Sequence, residues 1–456
     1  MQTPSWLNNA NFYQIFPDRF ARIEQKSCRP LEPWQTAPTR DNFLGGNFPG
    51  IISKLDYLAD MGFNALYVNP IFAAATNHRY DAEDYFKIDP LLGTLEDFQN
   101  FIKEAHKLGI KVVLDAVLNH CGKTHWMFQD VIKNEEKSEF VNYFSIKNFP
   151  VKSFPEPNYK TCSGCEYLPK WNVFNPKVRE HHFEVARYWI NQGIDGWRLD
   201  VPYFIYHEFW QEFCALVKKE NSELCLIAEE WRDPAEWLQG DMCDSTMNYT
   251  LRNLILSFTA DRSINAVELA DGLNRLQQRI PYGYHHGMLN LLGSHDTARV
   301  LTVHKGDMIA CMNAFSLLYA CEGAPMVYYG DELGMSGDND PGCRAGMEWE
   351  KLDNQPELMQ MIKSYNQGRS DHSVWRKGTQ SVYYLDSDTI AIKRSLSREA
   401  LIFVINRAGT AKLNKFDLSR LTNLSNVAIL QGISTKDDYR SAQAGKALIL
   451  QVTDAQ

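Results

Sequence analysis

The sequence predicts an α/β fold: a (β/α)8 TIM barrel with a small domain inserted after the third strand and an all-β C-terminal domain. Three features carry that expectation. Eight short apolar runs space out the first three quarters of the chain, helical periodicity fills most of the intervals, and the pattern turns to short β runs beyond about Trp375. With 456 residues, 44% hydrophobic content and 24 Phe, 11 Trp and 21 Tyr, the chain buries a large core, which excludes a disordered protein.

The apolar runs centre near Ile15, Val68, Leu114, Trp197, Leu226, Thr246, Leu291 and Val327. Ahead of the third, Phe98, Phe101, Ile102, Ala105 and Leu108 recur at helical spacing and stop at Gly109, a natural C-terminal cap, before the strand Ile110 to Val117. The same unit repeats with Val178 to Ile190, stopped by Gly193, and with Phe209 to Val217 before Leu224 to Ala228. Met308 to Tyr329 is the longest apolar stretch, but Asn313, Glu322, Gly323 and Pro325 break it well short of the about 20 residues a membrane span needs. It reads as a buried helix running into a buried strand.

Leu114 and Trp197 stand 83 positions apart, whereas a βα unit needs roughly 30 residues. Residues 121–172, rich in Pro, Asn, Lys and aromatics without clear helical period, are therefore read as the inserted domain. The barrel is expected over 1–120 and 173–376. A C-terminal β-sandwich is expected over 377–456, from the runs Ser381 to Leu385, Ile390 to Ile392, Leu401 to Ile405 and Ala447 to Val452.

Charge and leader signals narrow the partners. The 47 Lys and Arg against 56 Asp and Glu leave a net −9 with no basic block, which speaks against nucleic acid or an anionic membrane as partner. The start Met1-Gln2-Thr3-Pro4-Ser5-Trp6 has neither the basic residues nor the apolar run of a secretion signal, so a cytoplasmic protein is expected. The 10 Cys, without regular spacing, fit reduced thiols better than a disulfide framework. The lone pair Cys162 and Cys165 supplies two of the four ligands a zinc site needs and is read as structural or incidental.

A barrel of this kind builds its active site at the carboxyl ends of the strands. The third run ends Asp115-Ala116-Val117-Leu118-Asn119-His120, the fourth Arg198-Leu199-Asp200, the fifth Glu229-Glu230-Trp231, and the seventh His295-Asp296. Several carboxylates in one mouth suit retaining glycoside hydrolysis, which needs one as nucleophile and one as protonated acid. They equally suit divalent metal binding. Arg198, two residues before Asp200, points to the same face of the strand and is placed to pair with it.

The runs just quoted, with Gly196-Trp197-Arg198-Leu199-Asp200-Val201 and Leu291-Leu292-Gly293-Ser294-His295-Asp296-Thr297, resemble in order and spacing the four conserved regions of the α-amylase family, glycoside hydrolase family 13. Asn77-His78-Arg79-Tyr80-Asp81, Leu168-Pro169-Lys170-Trp171-Asn172, Tyr328-Tyr329-Gly330-Asp331-Glu332 and Gly337 to Arg344 favour its neopullulanase, cyclomaltodextrinase and maltogenic amylase branch. The resemblance implies Asp200 as nucleophile, Glu229 as general acid and base, and Asp296 as the third carboxylate. It implies Tyr80 stacking on the sugar, His120 and His295 on its hydroxyls, Arg198 orienting Asp200, and Asp340 with Arg344 on the next sugar. Glu229 is chosen over Glu230 because the family places the acid two positions before Trp, and because adjacent strand residues face opposite ways.

Departures from the family pattern set further expectations. Relatives in the branch carry an N-terminal β domain that shapes a dimer; the chain starts a few residues before its first barrel strand, so a monomer or weak homodimer is expected. Val201-Pro202-Tyr203-Phe204 stands where the branch has Val-Ala-Asn-Glu, so Tyr203 and Phe204 are expected to form an apolar acceptor platform. Phe204 occupies the position of a His that helps bind Ca²⁺ in many relatives, and no metal or cofactor is expected. The implied activity is retaining hydrolysis of α-1,4 bonds, with some α-1,6 cleavage or transglycosylation, in maltooligosaccharides and cyclodextrins. A 4-α-glucanotransferase and an inactive sugar-binding homologue are the alternatives.

Overall fold

A computed structural model describes residues 3–408, 426–431 and 447–453. Eight parallel strands form the barrel: β1 (Phe12–Ile15), β2 (Ala65–Val68), β3 (Lys111–Ala116), β4 (Gly196–Leu199), β5 (Cys225–Ala228), β6 (Ser245–Thr246), β7 (Leu289–Leu291) and β8 (Ala324–Tyr328). Each of the eight apolar runs is one of them. The sheet runs β6-β5-β4-β3-β2-β1-β8-β7, and a parallel bridge between Met247 and Leu289 closes the ring. The strands are buried on both faces, which is why they read as apolar runs without alternation. Gly196 is required where β4 meets β5: a Cβ there would lie 2.4 Å from Cys225 Sγ and 2.5 Å from its carbonyl oxygen.

The expected helices are present as Leu95–Lys107, Pro176–Asn191, His207–Glu220 and Met308–Ala320, the last running into β8. Leu95–Lys107 starts at a Thr94/Asp97 capping box and stops at Gly109, whose φ of 73° is cheap only for glycine. Between β3 and β4, the backbone bridges His120↔Lys170, Phe144↔Trp171, Ile146↔Tyr159 and Thr161↔Pro169 fold the inserted segment back on itself. Contrary to the sequence reading, this segment holds a helix, Trp126–Asn134, which buries Met127, Phe128 and Val131. A hairpin of Phe72–Ala74 with Ala82–Ile88 also went unforeseen.

The C-terminal strands β9 (Thr379–Tyr384), β10 (Thr389–Leu396), β11 (Glu399–Asn406), β12 (Asn426–Gln431) and β13 (Leu448–Thr453) form one antiparallel sheet ordered β9-β10-β11-β13-β12. Among the described residues it is a single layer; the rest of the expected 377–456 sandwich falls on residues outside those described. The sheet is seamed to the barrel by Trp375, whose ring lies 4.9 Å from that of Phe403 and whose Nε1 donates to the Tyr319 carbonyl at 2.7 Å. None of the 10 cysteines is joined in a disulfide. No described helix is long and apolar enough to cross a membrane.

Candidate active site

The side chains singled out in the sequence converge at the carboxyl ends of the barrel strands around Arg198. This residue is buried on β4, and its Nη1 donates to Asp115 Oδ1 at 2.9 Å and to Asp200 Oδ1 at 2.8 Å. Its Nη2 forms an ion pair with Glu229 Oε2 at 2.9 Å. One guanidinium thus brackets three carboxylates contributed by β3, β4 and β5.

A second network locks the opposite wall. The Tyr67 and Tyr80 hydroxyls each donate to Asp115 Oδ2 at 2.7 Å. His295 Nε2 lies 2.6 Å from the Tyr80 hydroxyl, and its Nδ1 lies 2.8 Å from Gln14 Nε2. An amide nitrogen only donates, so Nδ1 accepts and the proton sits on Nε2; the Tyr80 hydroxyl is then free to donate to Asp115. The Tyr80 and His295 rings stack at 5.5 Å with 9° between planes. Gln14 also donates to Asn69 Oδ1 at 2.9 Å, tying β1 to β2.

Glu229 and Glu230 point to different places. Glu229 Oε1 accepts from Trp231 Nε1 at 2.8 Å and Oε2 from the Val201 backbone N–H at 2.9 Å. Glu230 turns away, accepting from Trp237 Nε1 and the Arg232 N–H, both at 2.7 Å. Val201 reaches Glu229 by adopting φ 37°, ψ 51°, a left-handed backbone that a β-branched residue holds only under constraint. The Trp231 ring stacks on Tyr249.

Asp296 lies on the same mouth, 31% exposed, with Oδ2 3.2 Å from His295 Nε2 and Oδ1 3.4 Å from Arg344 Nη2. Arg344 Nη1 pairs with Asp340 at 2.8 Å, and Arg40 reaches Asp340 from outside at 3.2 Å. His120 is buried with Nε2 unpartnered. Tyr203 and Phe204 stand exposed at the rim, edge to face at 4.8 Å, and Lys170 Nζ donates to the Phe204 carbonyl at 2.7 Å.

Crowding sets the proton inventory. Burial raises Asp115 and Asp200 above the usual carboxylate range, opposed by Arg198; burial and Glu229 push Asp296 up to about 7. Burial lowers His120 to about 4 and His295 further, so both imidazoles are neutral donors and acceptors at pH 7. Five carboxyl groups face three guanidinium groups, which favours retaining a proton in the cleft.

Every site residue named from the sequence lies in or around this mouth. Gln14, Tyr67, Asn69 and Arg40 were missed. Tyr67 and Asn69 share a strand face two positions apart, and Gln14 is the one polar residue in β1, signals that period-2 reading finds; Arg40 leaves none.

A family model described as the α-amylase catalytic domain matches residues 14–396. The cyclomaltodextrinase of Geobacillus thermopakistaniensis (strain MAS1) is 40% identical over 418 residues, covering 90% of this chain and 71% of that protein. The intracellular maltogenic amylase of Bacillus subtilis (strain 168) is 35% identical over 458 residues, covering 98% and 77%. A solved cyclic α-maltosyl-(1→6)-maltose hydrolase from Arthrobacter globiformis, in complex with cyclic α-maltosyl-(1→6)-maltose, superposes with a TM-score of 0.92 at 50% identity, covering 99% and 100%.

Proposed function

The chain belongs to the α-amylase family of glycoside hydrolases, in the cyclomaltodextrinase, neopullulanase and maltogenic amylase branch, and from that premise we propose that it opens small cyclic α-glucans with retention of configuration. The preferred substrate in this reading is a ring of maltosyl units such as cyclic α-maltosyl-(1→6)-maltose, supported by the half-identical, full-length likeness to the Arthrobacter enzyme. The observation that carries the chemistry is the bracketing of Asp200 and Glu229 on neighbouring nitrogens of Arg198, which holds the two carboxyl groups close, as retention requires.

In the first half-reaction Glu229 gives its proton to the glycosidic oxygen while Asp200 attacks the anomeric carbon, and the C–O bond to the leaving sugar breaks. In the second, Glu229 takes a proton from water, which displaces Asp200. Arg198, paired with Asp200 at 2.8 Å, opposes the protonation that burial favours and so supports its anionic form. Tyr80, stacked on His295, offers a face to the sugar; His120, His295 and Asp296 take its hydroxyls, and Asp340 with Arg344 the next residue.

The usual Ca²⁺ site does not fit. Phe204 has no ligand side chain, and its carbonyl is taken by the Lys170 ammonium. Activity is expected to survive EDTA; loss restored by Ca²⁺ would contradict this. The name of the Bacillus relative supports a cytoplasmic location.

The test is a product profile by chromatography from equal masses of cyclic α-maltosyl-(1→6)-maltose, a cyclodextrin, pullulan, maltoheptaose and starch, with Asp200→Ala as blank. The small ring is expected to open fastest and to yield α-anomers first, and Glu229→Gln to lose about 10²–10⁴-fold in rate. A β-anomeric first product, or residual turnover in Asp200→Ala, refutes the assignment.

A further inference from the structure

Between β1 and β2 the chain runs through residues 22–47 without helix or strand, yet it is fastened along its length. Arg29 Nη1 and Nη2 donate to the carbonyls of Ala75 at 2.6 Å and Ala74 at 2.7 Å, beside the hairpin that follows β2. Trp34 Nε1 donates to the Met347 carbonyl at 2.9 Å, beyond β8. The tip of this strap is held by two buried residues. Asn77 aims its amide nitrogen at the carbonyls of Thr39 (3.0 Å), Arg40 (3.1 Å) and Asn42 (2.7 Å), and Arg19 Nη2 donates to the Asn42 carbonyl at 2.7 Å and to its Oδ1 at 2.9 Å. Asn42 closes the tip on itself, donating to the Ala37 carbonyl at 2.9 Å and accepting from the Thr39 N–H at 3.0 Å.

This fixed tip carries Arg40, whose side chain is 64% exposed and whose Nη2 meets Asp340 Oδ2 at 3.2 Å. Asp340 Oδ1 meets Arg344 Nη1 at 2.8 Å, and Arg344 Nη2 meets Asp296 Oδ1 at 3.4 Å. Alternating charges thus run in one line from the third carboxylate of the cleft to the outer rim, and Arg40 ends the line. An exposed ion pair contributes only about 0–1 kcal/mol to stability. A backbone held this firmly beneath so weak a pair serves to place a guanidinium, as a specificity element on a supporting shell does.

We propose that Arg40 is a specificity-determining residue that ends the donor side of the cleft after two glucosyl units. The inference rests on the function proposed above, in which the sugar to be cleaved lies against Tyr80 and Asp296 and the next one outward on Asp340 and Arg344. Arg40 stands on the outer side of Asp340, so a third unit of a straight α-1,4 chain has to displace the Arg40–Asp340 contact. A chain that stops at the second sugar leaves that contact in place and meets a guanidinium fork whose N–H groups suit the free hydroxyls of a non-reducing end. A ring that turns through an α-1,6 bond leaves the second sugar by its primary hydroxyl instead of O4, so the stop bears on straight chains more than on such a ring.

The test uses maltoheptaose labelled at its reducing end, so that every unlabelled first product is the donor-side fragment, with chromatography at early conversion. The wild type is expected to release mainly unlabelled maltose. Arg40→Ala is expected to raise the ratio of unlabelled maltotriose and longer fragments to maltose about fivefold, the value of one modest polar contact, with less effect on turnover of cyclic α-maltosyl-(1→6)-maltose. Arg40→Glu, which sets like charges against each other at Asp340, is expected to shift the ratio at least as far, and Arg40→Lys less. Thermal melts are expected to stay unchanged, because the side chain is exposed. Unlabelled products of unchanged length in both Arg40→Ala and Arg40→Glu overturn the proposal, as does a wild type whose main unlabelled product is already maltotriose or longer. A wild type that releases maltose from maltoheptaose but leaves the ring intact refutes the ring preference alone, and the Arg40 shift in product length then still supports this inference.

Discussion

Trp231 ties the proposed acid to the wall of the cleft. Its indole N–H meets Glu229 Oε1 at 2.8 Å while its ring rests on Tyr249. Trp231→Phe keeps the stack and removes the donor. Since a hydrogen bond to a charged group contributes about 1.5–3 kcal/mol, kcat/KM is expected to fall about tenfold or more with little change in Tm; steady-state kinetics with a melt check it, and an unchanged kcat/KM argues against the role. At this scale much was legible in the sequence. Strand alternation separates Glu229 from Glu230, and the i, i+2 relation places Arg198 beside Asp200. The Val201 N–H on Glu229 was not legible, because a backbone donor reaching a side chain 28 positions away leaves no mark on residue type. The Tyr80–His295–Gln14 relay hides for the same reason: its members come from three segments distant in sequence.

Among the elements, eight strands and the long helices were legible because full burial makes them uninterrupted apolar runs or clean amphipathic stripes. The helix Trp126–Asn134 was not, because it has nine residues and its stripe is blurred by the exposed Trp126 and half-buried Ile132. The turn Pro202–Phe204 carries the prediction at this scale. It lifts Tyr203 and Phe204 to 41% and 39% exposure beside the mouth, with Lys170 fastening the Phe204 backbone. An aromatic rim favours a sugar face over water. Tyr203→Asn and Phe204→Glu are therefore expected to lower the ratio of transfer to hydrolysis, measured from maltotriose products; an unchanged ratio counts against an acceptor platform.

At the scale of the whole molecule, the inserted segment and the barrel enclose neutral histidines. His125 lies 5.1 Å from Trp171 and 6.4 Å from His181, ring to ring, while His182 is fully buried with both ring nitrogens unpartnered. Burial lowers His125 to about 3, His181 to about 4 despite Asp84, and His182 well below its ordinary value. Unfolded histidine takes up its proton near pH 6.5, so these groups favour the fold fully above that pH and lose their contribution as the pH falls toward their folded values. Each such histidine costs about 1.4 kcal/mol of stability per pH unit in that window. Urea unfolding at pH 7 and pH 5 is expected to show a smaller acid loss in His182→Leu than in the wild type; equal losses contradict it.

The pairing of β1 with β8 also dictates an order of events during synthesis. Phe12–Gln14 pair with Met326–Tyr328, so one edge of the first barrel strand waits for a partner more than 300 residues later. At cellular elongation speeds that wait lasts on the order of tens of seconds. A nascent chain halted within helix Met308–Ala320 has made seven barrel strands yet keeps Phe12–Ile15 open along one side, an edge that other nascent chains are able to pair with. Arrival of β8 removes that edge, so the seam marks the point in translation after which the first barrel strand is closed to neighbouring chains.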